Sequence, residues 1–226
     1  MNITPETYAR WRESSLGALT EQLEQRAIFS LVGDASGLRV LDVGCGDGAY
    51  AIEAAQRGGK VVGLDQSLPM LEAARMRAIS SGVCASWCQG AAEALPFPDA
   101  SFDLVLAVTA LCWIPEPVVA LKEMNRILRP GGAVIIGELG RWSLWALARR
   151  FRAWLGAGTW ERAHFWTARE LREILVGAGL RPEEVRSAVY YPPSEILSRL
   201  MIYIEGASAR LGTYGAAFIA VRGITQ

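Results

Sequence analysis

The sequence predicts an α/β fold in which a mostly parallel sheet is covered by helices on both faces. Three observations predict it. Short apolar runs recur at 40–43, 60–65, 101–108 and 133–139. Segments with helical spacing of apolar residues separate them. A glycine-rich turn, Gly44-Cys45-Gly46-Asp47-Gly48, joins the first run to the first of those helices. Strands that alternate with helices from 39 to 139 demand right-handed crossovers and parallel pairing. Strands buried on both faces read as continuous apolar runs, as these do.

In order, residues 4–32 read as helix. Thr4, Pro5 and Thr7 suit its start. Tyr8 and Trp11 lie three apart and share a face. They either pack or close over a ligand pocket. The helix after the glycine turn carries Ala49, Ile52, Ala54 and Ala55 and ends at Gly58-Gly59. Gln66-Ser67 starts another, with Met70, Leu71 and Ala74. A third strand is expected at 84–88 and a loop at 90–99. Pro117 opens a helix with Leu121, Met124 and Ile127 on one side. Arg129-Pro-Gly-Gly132 reads as a turn before the strand at 133–139. The last third differs in texture. Residues 141–166 hold five of the eight tryptophans, and Leu144, Leu147, Ala148, Phe151, Trp154 and Leu155 form one helical face. A helix at 168–177, a strand at 184–191, a helix at 194–209 and a strand at 215–223 follow, for seven strands in all.

The 226 residues are enough for one domain with a sizeable core. Lys plus Arg and Asp plus Glu both number 23, so there is no global electrostatic case for nucleic acid. Four cysteines without a CxxC pair, and a single histidine, give no expected metal site. The polar N-terminus does not resemble a signal peptide, and no apolar run approaches the ~20 residues that span a bilayer. The expected location is the cytoplasm. Peripheral contact with a membrane is not the expectation.

In open parallel sheets ligands lie beyond the carboxyl ends of the strands. Asp42 with Gly44, Asp65, Ala91 to Glu93, and Thr109 all fall at such ends. Gly44, Gly46 and Ala49 fit a dinucleotide loop with Asp65 as the ribose acid. Asp42 stands against that reading, because a carboxylate beside the loop disfavours a pyrophosphate. It suits a ligand with an ammonium group, a ribose and an adenine.

Val-Leu-Asp-Val-Gly-Cys-Gly-Asp-Gly at 40–48 closely resembles the first motif of the class I S-adenosylmethionine-dependent methyltransferases. Ala-Glu-Ala-Leu-Pro-Phe-Pro-Asp-Ala-Ser-Phe-Asp-Leu-Val at 92–105 and Leu-Arg-Pro-Gly-Gly at 128–132 resemble the type 11, ubiquinone/menaquinone-biosynthesis-like branch. The resemblance covers roughly 36–140. It implies a Rossmann-like seven-stranded sheet whose last strand is antiparallel, with helical lid insertions, and S-adenosyl-L-methionine as cofactor. The resemblance does not identify residues outside that stretch; the chain as a whole reads as one methyltransferase domain over 1–226, with an N-terminal helical cap (1–32), a cofactor-binding core (36–140), lid and substrate-side elements (141–210) and a final strand (211–226). By position, Gly44, Cys45 and Gly46 would pack on the methionine part, and Asp42 would reach its ammonium. Asp65 would accept both ribose hydroxyls. Gln66 and Met70 would border the adenine, Ala92 would offer it a backbone N–H, and Glu93 would lie beside it. Thr109 would lie near the sulfonium. Position 91, often Asp in the family, is Ala91 here, so that hydrogen bond is absent or supplied by another group.

Methyl transfer from a sulfonium is an in-line displacement that needs mainly alignment and a dry site. A base is needed only for a protonated, weak nucleophile. Candidates for catalysis are Tyr8, His164 and Glu138. The expected acceptor is a small molecule, apolar or aromatic, with Trp11, Trp113, Trp145 and Trp166 as candidate walls. The 141–166 segment is read first as a substrate lid, with Trp142, Trp145, Trp160 and Trp166 facing the acceptor. The second reading is an amphipathic helix on a membrane surface. Cys84, Cys88 and Cys112 would bind a thiophilic metalloid only if they cluster. Two other classes stay open: a nicotinamide-dependent oxidoreductase, and a non-catalytic cofactor-binding protein. Thr109-Ala-Leu-Cys-Trp113 lacks the Asn-Pro-Pro-Tyr character of nucleic-acid methylation.

Overall fold

The computed structural model describes residues 4–154, 162–201, 205 and 212–225. Leu155, Trp160 and most of the far end of the expected 194–209 helix lie outside the described residues. The single helix expected at the N-terminus is two. Helix α1, Pro5–Glu13, starts at Thr4, whose hydroxyl accepts the Thr7 N–H. Ser14 then sits in extended backbone and cannot continue the helix. Its hydroxyl accepts the Gly17 N–H and caps α2, Ser15–Val32. The break lets α1 leave the axis of α2.

Strand β1, Arg39–Val43, leads through the glycine turn to α3, Ala49–Gln56. Strand β2, Lys60–Asp65, leads to α4, Leu68–Ser80, capped by Ser67. Strands β3, Ser86–Gln89, and β4, Phe102–Val108, follow, and then a 3₁₀ turn, Leu111–Trp113. Helix α5, Pro117–Ile127, runs into β5, Leu128–Leu139. Helices α6, Leu144–Trp154, and α7, Ala168–Gly177, precede β6, Leu180–Ala188. Helix α8, Glu195–Met201, and β7, Phe218–Thr225, complete the chain.

The seven strands form one sheet in the order β3-β2-β1-β4-β5-β7-β6. Strands β1 to β5 pair in parallel. Strand β7 is antiparallel to both β5 and β6 and lies between them. Two apolar cores flank the sheet. On one face Leu121, Met124, Leu171 and Leu175 bring α5 and α7 against it. On the other, Ile28, Leu31, Ala51 and Ala54 bring α2 and α3.

The boundaries differ from expectation for local reasons. Strand β3 begins two residues late, because Gly82 is left-handed and the Val83 N–H closes back on the Ala78 carbonyl at 3.1 Å. Residues 82–85 are thereby used up in leaving α4. Strand β6 begins early, because left-handed Gly179 turns α7 directly into the sheet. Strand β5 reaches back through the expected 129–132 turn, where Leu128 pairs with Phe102 across an irregular register.

Candidate functional site

A cleft of about 1170 Å³ opens beyond the carboxyl ends of β1, β2 and β4. Asp42, Gly44, Cys45 and Gly46 line it from β1 and the glycine turn. Asp65, Gln66 and Met70 line it from β2 and the start of α4. Ala92 and Glu93 come from the loop after β3, Thr109 and Trp113 from the end of β4, and Tyr8 from α1. The sequence separates these residues by as many as 105 positions, and the strand order brings them together.

The glycine turn is strapped to β2 by the Gly44 and Cys45 N–H groups, both donating to the Leu64 carbonyl at 2.8 and 3.0 Å. Gly44 has φ 68°, and a Cβ there would meet the Ala110 methyl at 2.7 Å. Any larger residue therefore clashes. Gly46, also left-handed, would place a Cβ in open space. Its N–H donates to the Asp65 carboxylate at 2.8 Å, and the Ser67 N–H donates to the other carboxylate oxygen at 2.8 Å. Asp65 is thus held rigid by two N–H groups and faces the cleft with further acceptor capacity.

Asp42 is almost fully buried. One backbone N–H, that of Ala51 at the start of α3, donates to it, while its Oδ2 has no partner. Burial is the main cause that pushes its pKa up to about 7, with the nearby Asp65 charge adding to it. A buried carboxylate oxygen without a partner calls for a cation or donor from a ligand. The residues therefore fit a nucleoside ligand with an ammonium end: Asp42 for the ammonium, open space over Gly46, and Asp65 for the ribose.

The loop carrying Ala92 and Glu93 is clamped by α5. Arg126 donates to the Leu95 and Phe97 carbonyls at 3.1 and 2.9 Å and to Asp99 at 2.7 Å. Glu123 accepts the Leu95 N–H at 3.0 Å. Glu93 Oε2 is buried without a partner.

Tyr8 also lines the cleft, near Thr109, and burial pushes its pKa to about 12. It stays protonated at neutral pH. Thr109 has φ 50°, a strained conformation for a β-branched residue. Its N–H donates to the Gly137 carbonyl at 2.7 Å. Tyr50 also lines the cleft, and its hydroxyl donates to Glu24 at 3.5 Å. Burial raises the Glu24 pKa to about 7, against the opposing charge of Arg149. Helix α1 is fastened over the glycine turn by Arg12, which grips both oxygens of Asp47. Arg77 of α4 lies 3.6 Å from the same carboxylate.

Other sequence-predicted residues lie elsewhere. Ala91 is not among the residues lining the cleft. His164 is outside it as well: its backbone N–H donates to Cys112 and its ring packs on Trp166 at 4.2 Å. Burial and the neighbouring Arg141 lower its pKa. Trp145 and Trp166 are core residues, not pocket walls. The indole N–H of Trp145 donates to the Tyr191 carbonyl at 2.9 Å, which turns the ring inward. Trp11 packs against Tyr8 behind the cleft surface. Glu138 is fully buried beneath the 3₁₀ turn, where it accepts the Leu111 N–H at 2.8 Å. Burial raises its pKa to about 8, so it is a protonated staple for that turn. Cys84 is exposed, Cys88 half-buried and Cys112 buried, and no metal-holding group of three exists among the described residues. A thiol cluster is therefore ruled out among them. Sequence reasoning missed Asp47, Tyr50 and Arg162, which line the cleft, and Glu24 behind Tyr50. Asp47 was visible as the one acid inside the glycine turn. Glu24 carried no local signal.

The family described as "Methyltransferase domain" matches residues 41–136. A ubiquinone biosynthesis O-methyltransferase of Dinoroseobacter shibae is 33% identical over 164 residues, covering 70% of this chain and 66% of that protein. A crystal structure from Thermotoga maritima, described as a SAM-dependent methyltransferase and possible histamine N-methyltransferase, superposes with a TM-score of 0.73 at 28% identity. That match covers 98% of this chain and 95% of the other. Magnesium protoporphyrin IX methyltransferase from Synechocystis, solved with bound SAH, shares the fold with a TM-score of 0.69 at 17% identity, over 99% and 96% of the two chains. The orphaned Asp42 carboxylate, the ribose-ready Asp65 and these matches agree, and the chain belongs to the class I S-adenosyl-L-methionine-dependent methyltransferases, in the type 11 branch.

Proposed function

We propose that the enzyme transfers the methyl group to a small-molecule acceptor held beside Tyr8, Thr109 and Trp113 in the cleft. The observation that carries this is the lining of the cleft. Asp42 and Asp65 line it from the ends of β1 and β2, Tyr8 lines it from α1, Trp113, Ile114 and Pro115 line it from the segment after β4, and Arg162 also reaches it. Bound S-adenosyl-L-methionine supplies an electrophilic methyl on a sulfonium, and the leaving thioether is neutral. The chain's own work is alignment and exclusion of water. Asp42 takes the ammonium, Asp65 the ribose hydroxyls, and the Gly44 to Gly46 turn gives the methionine part close backbone approach. Glu93, with its unpartnered oxygen, takes the adenine amino group that an Asp at position 91 would otherwise reach. Tyr8, protonated at neutral pH, donates to or orients the acceptor and is not a base. Glu24, titrating near 7 one hydrogen bond behind Tyr50, takes the proton that a neutral O–H or N–H acceptor releases.

The O-methyltransferase relative and the possible N-methyltransferase structure support oxygen and nitrogen acceptors alike. The test is a panel of small phenols, catechols and aromatic amines with methyl-labelled cofactor. Label transfer to at least one, lowered about tenfold or more in Tyr8→Phe or Glu24→Gln, is the expected result. Transfer to none, with cofactor binding intact, would refute the acceptor assignment.

A further inference from the structure

Helix α6 has two faces that the fold uses in opposite ways. Its inner face is fixed: Trp145 and Ala146 are buried, and Trp145 is tied to Tyr191 and stacked by the Arg149 guanidinium at 5.2 Å. Its outer face carries Leu144, Leu147, Phe151 and Trp154, spaced 3, 4 and 3 residues apart. They form one continuous stripe along the helix. All four are more than half exposed, and Trp154 reaches 79%. The stripe runs on past the start of the helix. Trp142 is 61% exposed, and its carbonyl accepts the N–H of Gly215, next to the 73% exposed Tyr214. A patch of this size and aromatic content on a soluble surface marks a contact site.

The charges around the stripe indicate what covers it. Leu144–Trp154 contains three arginines and no acid, in a chain whose net charge is zero. Arg150 and Arg152 are exposed beside the stripe, and neither has an acidic partner among the described residues. An apolar aromatic face bordered by exposed arginines, Arg150 lying over the Phe165 ring and both Arg150 and Arg152 without an acidic partner among the described residues, is complementary to a lipid interface with anionic headgroups. No helix among the described residues is long and apolar enough to cross a membrane. The contact would therefore lie in the plane of the interface.

We propose that the outer face of α6 docks this enzyme on an anionic lipid surface. The docking does not depend on the identity of the methyl acceptor, since no stripe residue lines the cleft. Flotation of the full chain with phosphatidylcholine vesicles, with and without phosphatidylglycerol, tests it. Retention is expected on the anionic vesicles, falling about tenfold in the double variant Phe151→Glu with Trp154→Glu. Arg150→Glu with Arg152→Glu should abolish the preference for anionic over neutral vesicles and the sensitivity to salt. Both variants should keep wild-type affinity for S-adenosylhomocysteine by calorimetry, which shows that they fold. Three results would overturn the proposal. One is no retention of the wild type on anionic vesicles. Another is undiminished retention of the folded Phe151→Glu, Trp154→Glu variant. The third is a wild-type dimer in solution that this variant dissolves, which would assign the face to a second copy.

Discussion

Asp42 carries a proton in the cofactor-free enzyme at mildly acid pH, because burial holds its pKa near 7. The proposed pairing with the ligand ammonium would reverse that preference, so binding would drive the proton off. Calorimetric titrations with S-adenosylhomocysteine at pH 6, in buffers of different ionisation enthalpy, should report net proton release, and markedly less at pH 8.5. Proton release that is the same in Asp42→Asn would assign the effect to another group. Glu138 behaves differently although it too is a buried acid. It is already neutral below pH 8; its Oε1 accepts the Leu111 N–H, and its Oε2 is buried without a partner. Glu138→Gln should cost less than about 1 kcal/mol at pH 7, whereas Glu138→Ala leaves the Leu111 N–H unsatisfied and a hole beneath the turn. That change should cost roughly 2–4 kcal/mol in chemical denaturation.

At the scale of elements, α1 is the part that the glycine turn holds in place. Arg12 and Asp47 form a two-pronged ion pair in partly buried surroundings, with Glu21 and Arg77 beside it. Removing Arg12 leaves the buried Asp47 carboxylate with only Arg77, 3.6 Å away. Arg12→Ala should free α1, raise its amide exchange and weaken cofactor binding about tenfold, because the glycine turn loses its clamp at Asp47. Equal exchange in α1 would contradict the latch. The sequence exposed the strands, the glycine turn and the two strand-end acids, because apolar runs, glycines and capping residues act locally. It did not expose the latch, whose partners lie 35 positions apart. The 141–166 segment shows the same limit. Periodicity identified the apolar stripe of α6 correctly, but it cannot tell which face of a helix turns inward. Trp145 was expected to face the acceptor, and instead it is buried against Arg149 and tied to Tyr191. Trp166 and His164 went the same way: residue type suggested chemistry, and packing decided otherwise.

For the molecule as a whole, three carboxyls whose pKa values burial raises dominate its response above pH 5, with Glu21 raised in the same sense and His164 lowered against it. Asp42, Glu24 and Glu138 have pKa values raised to about 7, 7 and 8, burial being the largest cause in each. The folded protein therefore keeps protons that the unfolded chain loses above about pH 4. Their contribution is complete below the unfolded pKa and disappears as pH rises through the folded values. The cofactor-free enzyme should lose roughly 5 °C or more in Tm between pH 5 and pH 8.5. Saturating S-adenosylhomocysteine should flatten the curve, because Asp42 then gains a partner in its charged form. A Tm that rises over that interval would show that these groups are not buried as described.

We propose that the cleft holds the nucleoside through Asp65, the acid at the end of β2, fixed by the Gly46 and Ser67 N–H groups. Calorimetry of S-adenosylhomocysteine with wild type and Asp65→Ala tests it most directly, with circular dichroism to confirm the fold. Two charge-assisted hydrogen bonds to the ribose are together worth about 3–5 kcal/mol, so affinity should fall by roughly a hundredfold or more. A folded Asp65→Ala variant that binds as tightly as wild type would contradict the account.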